Sequence, residues 1–271
     1  MKAIGAATAA ACCLIVLFVA AGCGDSPTDP NAPSELESIG VALTETLETP
    51  SFVFHYSPGD TVQVERSEAY HLWATGYLGV NPPKKIDFYK YRTHGEMASA
   101  FGYQFGGMAF PGEFAVATAY LWHNHECMHL YVTLIGSSPR LFAEGMVVAH
   151  EFDPYNNVWV SQWNRAEPPE EPYLDIVRRL HSQGLLYPIE EIIESNAFNA
   201  ATDSEAQRIA YPQAGVWVMY LIETYGLESM KQIVRSMPYN AQLRDIREQF
   251  QDVYGISIVQ AEEAWHDWLE R

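Results

Sequence analysis

Apolar positions divide the chain into two stretches of different periodicity. Before residue 119, short alternating runs stand between turn signals. Ser51–Tyr56 alternates, is rich in aromatics and runs into Ser57-Pro58-Gly59-Asp60, which predicts a strand; Lys85–Tyr91 alternates in the same way. Between them, Val62–Leu78 carries Val64, Ala69, Leu72 and Trp73 at helical spacing and meets Gly79 and Pro82-Pro83, a helix with its stop signal. Gly95–Phe101 predicts a short helix, and Gly106–Gly112 a loop or an edge strand. Upstream, the polar Ser34–Glu48 with scattered Leu, Ile and Val predicts a short lead-in helix.

From Ala119 onward the period is helical. Helices are predicted over Ala119–Ile135, Pro139–Phe152, Tyr173–Ser182, Pro188–Glu194, Pro212–Tyr225, Leu227–Ser236, Ala241–Tyr254 and Ile258–Leu269, with Gly136, Gly226, Pro238 and Gly255 as punctuation. The expected class is α+β: an amino-terminal lobe with a small mixed sheet joined to a helical carboxy-terminal lobe. Trp217, Met219, Leu221 and Trp265 are expected in its core, and no internal repeat is visible.

The first 22 residues stand apart. Lys2 precedes the uncharged Ala3–Ala21, whose apolar centre is Leu14–Val19, the pattern of a secretory signal. The run Val19-Ala20-Ala21-Gly22-Cys23 resembles a bacterial lipobox, although Ala20 stands where Leu is commonest. That resemblance implies cleavage before Cys23, a lipid on Cys23, and export to the bacterial cell envelope with attachment to its membrane. An ordinary signal or a single membrane anchor is the alternative, since the uncharged stretch is long enough to span. The Pro-rich run after Cys23 then serves as a tether, which divides the chain into 1–22, 23–50 and a domain over 51–271. Of four cysteines only Cys127 lies beyond the leader and lipid site, so no internal disulfide is expected and Cys127 is a buried thiol.

Charge narrows the partners. With 16 Lys+Arg against 34 Asp+Glu, the net charge of −18 argues against binding nucleic acid or anionic lipid surfaces, while 48% hydrophobic residues exclude a disordered chain.

The chemistry concentrates at His125-Glu126-Cys127-Met128-His129, an H-E-x-x-H pattern inside a predicted helix. Residues i and i+4 lie one turn apart on one face, so both imidazoles can hold one cation, while Glu126, about 100° around, can reach a metal-bound water as general base. The apolar flanks Ala119–Trp122 and Leu130–Ile135 make this a core-facing helix, where two imidazoles and a carboxylate need a charge partner. Glu144 on the next helix is the leading third ligand, with His150, Glu151 and Asp153 as competitors. His123, off the ligand face, is expected as a supporting or surface group.

These residues resemble the gluzincin metallopeptidases, especially small bacterial peptidase MA-like domains with a thermolysin-type catalytic core. The likeness rests on His125–His129 and on Pro139-Arg140-Leu141-Phe142-Ala143-Glu144-Gly145. Weaker matches follow in the expected order: Phe52–Tyr56 as opening strand, Ala210–Leu221 with Tyr225-Gly226, and Gly255–Ile258 with Glu263-Ala264-Trp265. The resemblance implies a zincin-like fold and a peptidase with one Zn²⁺ per chain held by His125, His129 and Glu144, with Glu126 as base and peptides or proteins as substrates. It also places a tyrosine near Tyr211. Because Pro212 disfavours helical geometry at the residue before it, Tyr211 is expected at a helix start with its hydroxyl in the cleft as candidate oxyanion donor, a packing tyrosine being the alternative. Large aminopeptidases of this group carry a Glu in a Gly-x-Met-Glu-Asn strand; the nearest segment, Gly106-Gly107-Met108-Ala109-Phe110, has none, which favours internal cleavage, with Glu113 a weak substitute. The competing class is a catalytically inactive envelope protein that keeps the fold as a binding module.

Overall fold

The computed structural model describes residues 43–102, 106–154, 158–159, 172–202 and 207–271. The leader, Cys23, residues 24–42 of the tether and the Glu167–Pro172 run up to residue 171 lie outside the described residues. Among the described residues no helix is long and apolar enough to cross a membrane.

Strands β1 (Glu45–Glu48), β2 (Phe52–Tyr56), β3 (Ile86–Lys90), β4 (Gly107–Phe110) and β5 (Ala115–Thr118) form one sheet in the order β1-β2-β3-β5-β4. The three central strands are parallel and both edges antiparallel. The register aligns Phe52 with Ile86 and Phe54 with Phe88, so the alternation of each strand sends its apolar set to one face. There the Phe54 and Phe88 rings lie 5.3 Å apart. That face packs with helix α1 (Val64–Leu78) and helix α3 (Asn124–Ile135); helix α2 (His94–Phe101) belongs to a smaller cluster of Tyr91, Met97, Phe110, Ala115 and Ala117 on the other side. The molecule is thus mixed α+β, with the sheet at the amino-terminal side and mostly helices after it.

Several boundaries differ from the sequence reading. The expected lead-in helix instead ends in β1, whose four side chains are all exposed; its conformation comes from backbone pairing with β2, which the pattern of side chains does not reveal. The helix expected from Ala119 begins only at Asn124. The backbone before it is engaged elsewhere: Leu121 O accepts from Gln63 N, Thr118 Oγ1 from Tyr120 N, and His123 is extended at φ −147°. The apolar run Ala115–Thr118, to which the sequence pattern assigned no element, is a fully buried strand in the parallel part of the sheet.

Helix α4 (Arg140–Val148) follows α3 and ends earlier than expected, with Phe152–Asp153 as β6 paired to β7 (Val158–Trp159). Beyond them come α5 (Tyr173–Ser182), α6 (Ile189–Ile192), α7 (Ser195–Ala200), α8 (Gln207–Tyr225), α9 (Leu227–Ser236), α10 (Leu243–Tyr254) and α11 (Ile258–Leu269). Helix α8 is central to this half. Trp217 and Trp265 are fully buried, 5.4 Å apart and edge to face, whereas Met219 is only half-buried. Gly145 and Gly215 let α4 and α8 approach: a Cβ on Gly145 would lie 2.7 Å from Ala214 O, and one on Gly215 2.3 Å from Val148 Cγ1. That close packing brings the fifth residue of α4, Glu144, toward the second turn of α8.

Candidate metal centre

Helix α3 presents His125 and His129 one turn apart, their ring centroids 5.0 Å from each other. The chain turns through residues 136–139 and α4 returns with Glu144, whose Oε2 lies 3.3 Å from His129 Nε2 and 3.7 Å from His125 Nε2. Candidate ligand atoms of the three side chains all lie within 4.8 Å of one another. The side chains are 9%, 11% and 8% exposed for His125, His129 and Glu144, so the cluster is taken out of bulk water. Glu144 Oε2 is buried with no hydrogen-bond partner among the described residues. A buried carboxylate oxygen that faces two imidazole nitrogens at 3.3 and 3.7 Å without a well-formed hydrogen bond is a costly arrangement unless a cation completes it. Two nitrogens and one carboxylate oxygen are also a donor set suited to a divalent transition metal, zinc included, so the residues present fit such an ion.

Two of the three candidate ligands are held from behind. Glu151 Oε1 lies 2.6 Å from His125 Nδ1, and Glu151 Oε2 accepts from the Tyr173 hydroxyl at 2.7 Å. Glu151, a competitor for the third position in the sequence, is 1% exposed and lies on the Nδ1 side, outside the converging group of His125, His129 and Glu144, where it holds the imidazole with Nε2 toward Glu144. Burial alone would push the His125 pKa down, but the hydrogen bond and charge of Glu151 raise it to about 9. Burial likewise raises the Glu144 carboxyl, yet His129 and Arg140 outweigh it and hold Glu144 well below the usual carboxylate range. Arg140 Nε donates to Glu144 Oε1 at 3.1 Å.

The other candidates divide clearly. His150 is buried with Nδ1 against Met146 O and takes no part in the cluster. Nothing is described of the Asp153 side chain. His123 is buried, with Nδ1 2.9 Å from Thr118 Oγ1 and its ring 6.2 Å from that of His125, a supporting group and not a surface one. Cys127 is a buried free thiol whose pKa burial pushes far up, which leaves it unreactive.

Glu126 is half-buried on the first turn of α3, beside edge strand β4. A Cβ on Gly107 would lie 2.9 Å from Glu126 Cγ and 2.2 Å from His123 Cε1, so only glycine lets the strand pass so close to this side chain. Glu113 sits in the turn at the far end of β4, where its N–H donates to Phe110 O. Gly107 and Phe110 are three residues apart, about 10 Å along a strand, so this backbone position does not bring Glu113 to the cluster.

Tyr211 does not start a helix. Helix α8 begins four residues earlier and carries Pro212 within it, the packing of α8 on α4 overriding the local preference against αR before proline. Its hydroxyl nevertheless points to the site: Arg140 Nη2 donates to Tyr211 Oη at 2.9 Å, and burial pushes the phenol pKa far up, so the hydroxyl stays protonated. Arg140 and the orienting role of Glu151 were not read from the sequence. Arg140 stood in view four residues before Glu144, on the same helical face, and that i, i+4 spacing was the available signal.

No protein-family model matches the chain, and no curated protein or solved structure was found to be similar to it.

Proposed function

We propose that this chain is a zinc-dependent peptidase, cleaving internal peptide bonds, with His125, His129 and Glu144 as metal ligands and Glu126 as general base. One observation carries it: a buried carboxylate oxygen of Glu144, without a hydrogen-bond partner among the described residues, faces the Nε2 atoms of two imidazoles one helical turn apart. The order of a mixed sheet, an H-E-x-x-H helix and a returning helix with Glu144-Gly145 supports a zincin-like reading of the fold.

Bound there, Zn²⁺ supplies a Lewis acid that brings the pKa of a water toward 7 and polarises a carbonyl. Glu126, beside the ligand pair, takes the proton of the attacking water and delivers it to the leaving amine. The Tyr211 hydroxyl, its oxygen accepting from Arg140, gives its proton as a hydrogen bond to the developing oxyanion. Glu151 and Tyr173 hold His125 so that Nε2, not Nδ1, meets the cation. The absence of a Glu in the Gly106–Phe110 segment fits internal cleavage, since no carboxylate there can grip a free amine. From the sequence of residues 1–23 we further infer export and lipid attachment at Cys23 in a bacterial envelope, with protein or peptide substrates met at the membrane.

The test is metal content together with hydrolysis of casein for the wild type and Glu126→Gln. Stoichiometric zinc in both and turnover in the wild type alone is expected. Zinc with equal, negligible turnover in both refutes the peptidase and leaves a metal-holding binding module.

A further inference from the structure

Arg140 opens helix α4 directly after Pro139, and its guanidinium reaches three elements at once. Nε donates to Glu144 Oε1 on its own helix at 3.1 Å, Nη2 to Tyr211 Oη on α8 at 2.9 Å, and Nη1 to Asn199 Oδ1 on α7. Its backbone N–H donates to Ser195 Oγ at the start of α7 at 2.9 Å. A planar cation with donors in fixed directions sets the relative positions of what it binds, whereas the donors of an ammonium rotate about a single nitrogen and fix those directions less.

Two consequences meet at the metal centre. First, Arg140 occupies Oε1 of Glu144, and Oε2 is the oxygen left facing His125 and His129. The guanidinium thereby selects which carboxylate oxygen can ligate and limits Glu144 to one. Second, by donating to the Tyr211 oxygen it fixes the direction of that hydroxyl, and a cationic donor makes the hydroxyl a stronger hydrogen-bond donor in turn. The third ligand and the oxyanion donor come from different helices, and one side chain holds both.

We propose that Arg140 is the positioning residue of this site, fixing Glu144 as a single-oxygen ligand and the Tyr211 hydroxyl as donor with one guanidinium. The proposal rests on the zinc-peptidase reading.

The test uses the full chain as wild type, Arg140→Met, Arg140→Lys, Tyr211→Phe and Asn199→Ala, each checked for folding by far-UV circular dichroism and thermal melting. Zinc affinity is read by competition with a chromophoric chelator, ligand geometry by the visible spectrum of the Co²⁺-loaded protein, and kcat and KM on casein-derived peptides. Arg140→Met is expected to weaken zinc by roughly 10–100-fold, to alter the Co²⁺ bands and to lower kcat. Arg140→Lys keeps a charge beside Glu144 and recovers zinc affinity, but kcat stays as low as in Tyr211→Phe, which itself binds zinc as the wild type does. Asn199→Ala removes the contact outside the site and is expected to lower the melting temperature without moving zinc affinity or the Co²⁺ spectrum. A folded Arg140→Met with wild-type zinc affinity and Co²⁺ bands overturns the proposal. If that variant does not fold, Arg140→Lys decides: a wild-type kcat overturns it, a Tyr211→Phe-like kcat supports it. A wild type that binds no zinc overturns the metal reading itself, a result distinct from the others.

Discussion

Substituting Gly145 by Ala sets helix propensity against packing, and the structure decides the sign. In an open helix the change is favourable by about 0.8–1 kcal/mol. At Gly145, however, the new Cβ would stand 2.5 Å from Val218 Cγ2 and 2.7 Å from Ala214 O. Carbon contacts are comfortable only from about 3.5 Å, so α4 and α8 must separate by something approaching 1 Å, and one obstacle is backbone that no rotamer change relieves. Overpacking of this kind costs about 1–3 kcal/mol. With the backbone in the way the upper half of that range applies, leaving a net loss of about 1–2 kcal/mol and a melting temperature lower by about 2–8 °C for a domain of this size. Gly76 supplies the internal control: it lies within α1, and nothing stands within 4 Å of its hypothetical Cβ. Gly76→Ala should therefore raise stability by up to about 1 kcal/mol. Urea titration and thermal melts of both variants measure the pair. The separation would also pull Tyr211 from Arg140, so the Gly145 variant should lose kcat as Tyr211→Phe does and the Gly76 variant should not. Equal stability of the two variants refutes the close-approach account of the Glu144-Gly145 pair.

Three further outcomes are expected. Burial depresses the His150 pKa to about 4, against 6.5 when exposed, so the unfolded chain takes up a proton first; stability falls as pH drops from about 6.5 through 4, by about 3 kcal/mol in all. Urea midpoints against pH should show that limb flattened in His150→Asn, and an unchanged acid slope contradicts it. Glu151→Ala removes the partner on His125 Nδ1 and should weaken zinc by roughly 10–100-fold in a chelator competition; undiminished affinity rules out the orienting role. Gly107→Ala pushes a methyl into His123 and the stem of Glu126, and casein hydrolysis should fall by roughly 10–100-fold while far-UV circular dichroism stays unchanged. Full activity in that variant would mean that β4 does not press on the base.

Much of this molecule was legible in the chain. Phe52–Tyr56 and Ile86–Lys90 announce themselves by alternation, α1 and α5 through α11 by period and punctuation, with two exceptions: the run expected to end at Glu194 is followed by a second short helix, Ser195–Ala200, and α8 begins at Gln207, not at Pro212. The pairing of His125 with His129 follows from helical geometry alone, and Glu144 from its distance along the chain and the turn between. The reading failed where a residue answers to something distant. Strand β1 exists because β2 lies beside it, and α3 starts late because residues 118–123 serve the sheet and Gln63.

The sequence by itself therefore determined the two alternating strands β2 and β3, most of the helices and the pairing of His125 with His129, with Glu144 first among four candidates for the third position, because periodicity and the i, i+4 relation are local properties that survive without knowledge of neighbours. Only the tertiary structure decided what those side chains do for one another. Glu151 became the partner of His125 across 26 positions, and Arg140 the partner of Tyr211 across 71. Whether a buried carboxylate ligates, orients or is itself held depends on which atom of which neighbour lies within about 3 Å, and the packing of Gly145 against α8 sets that, not any pattern along the chain.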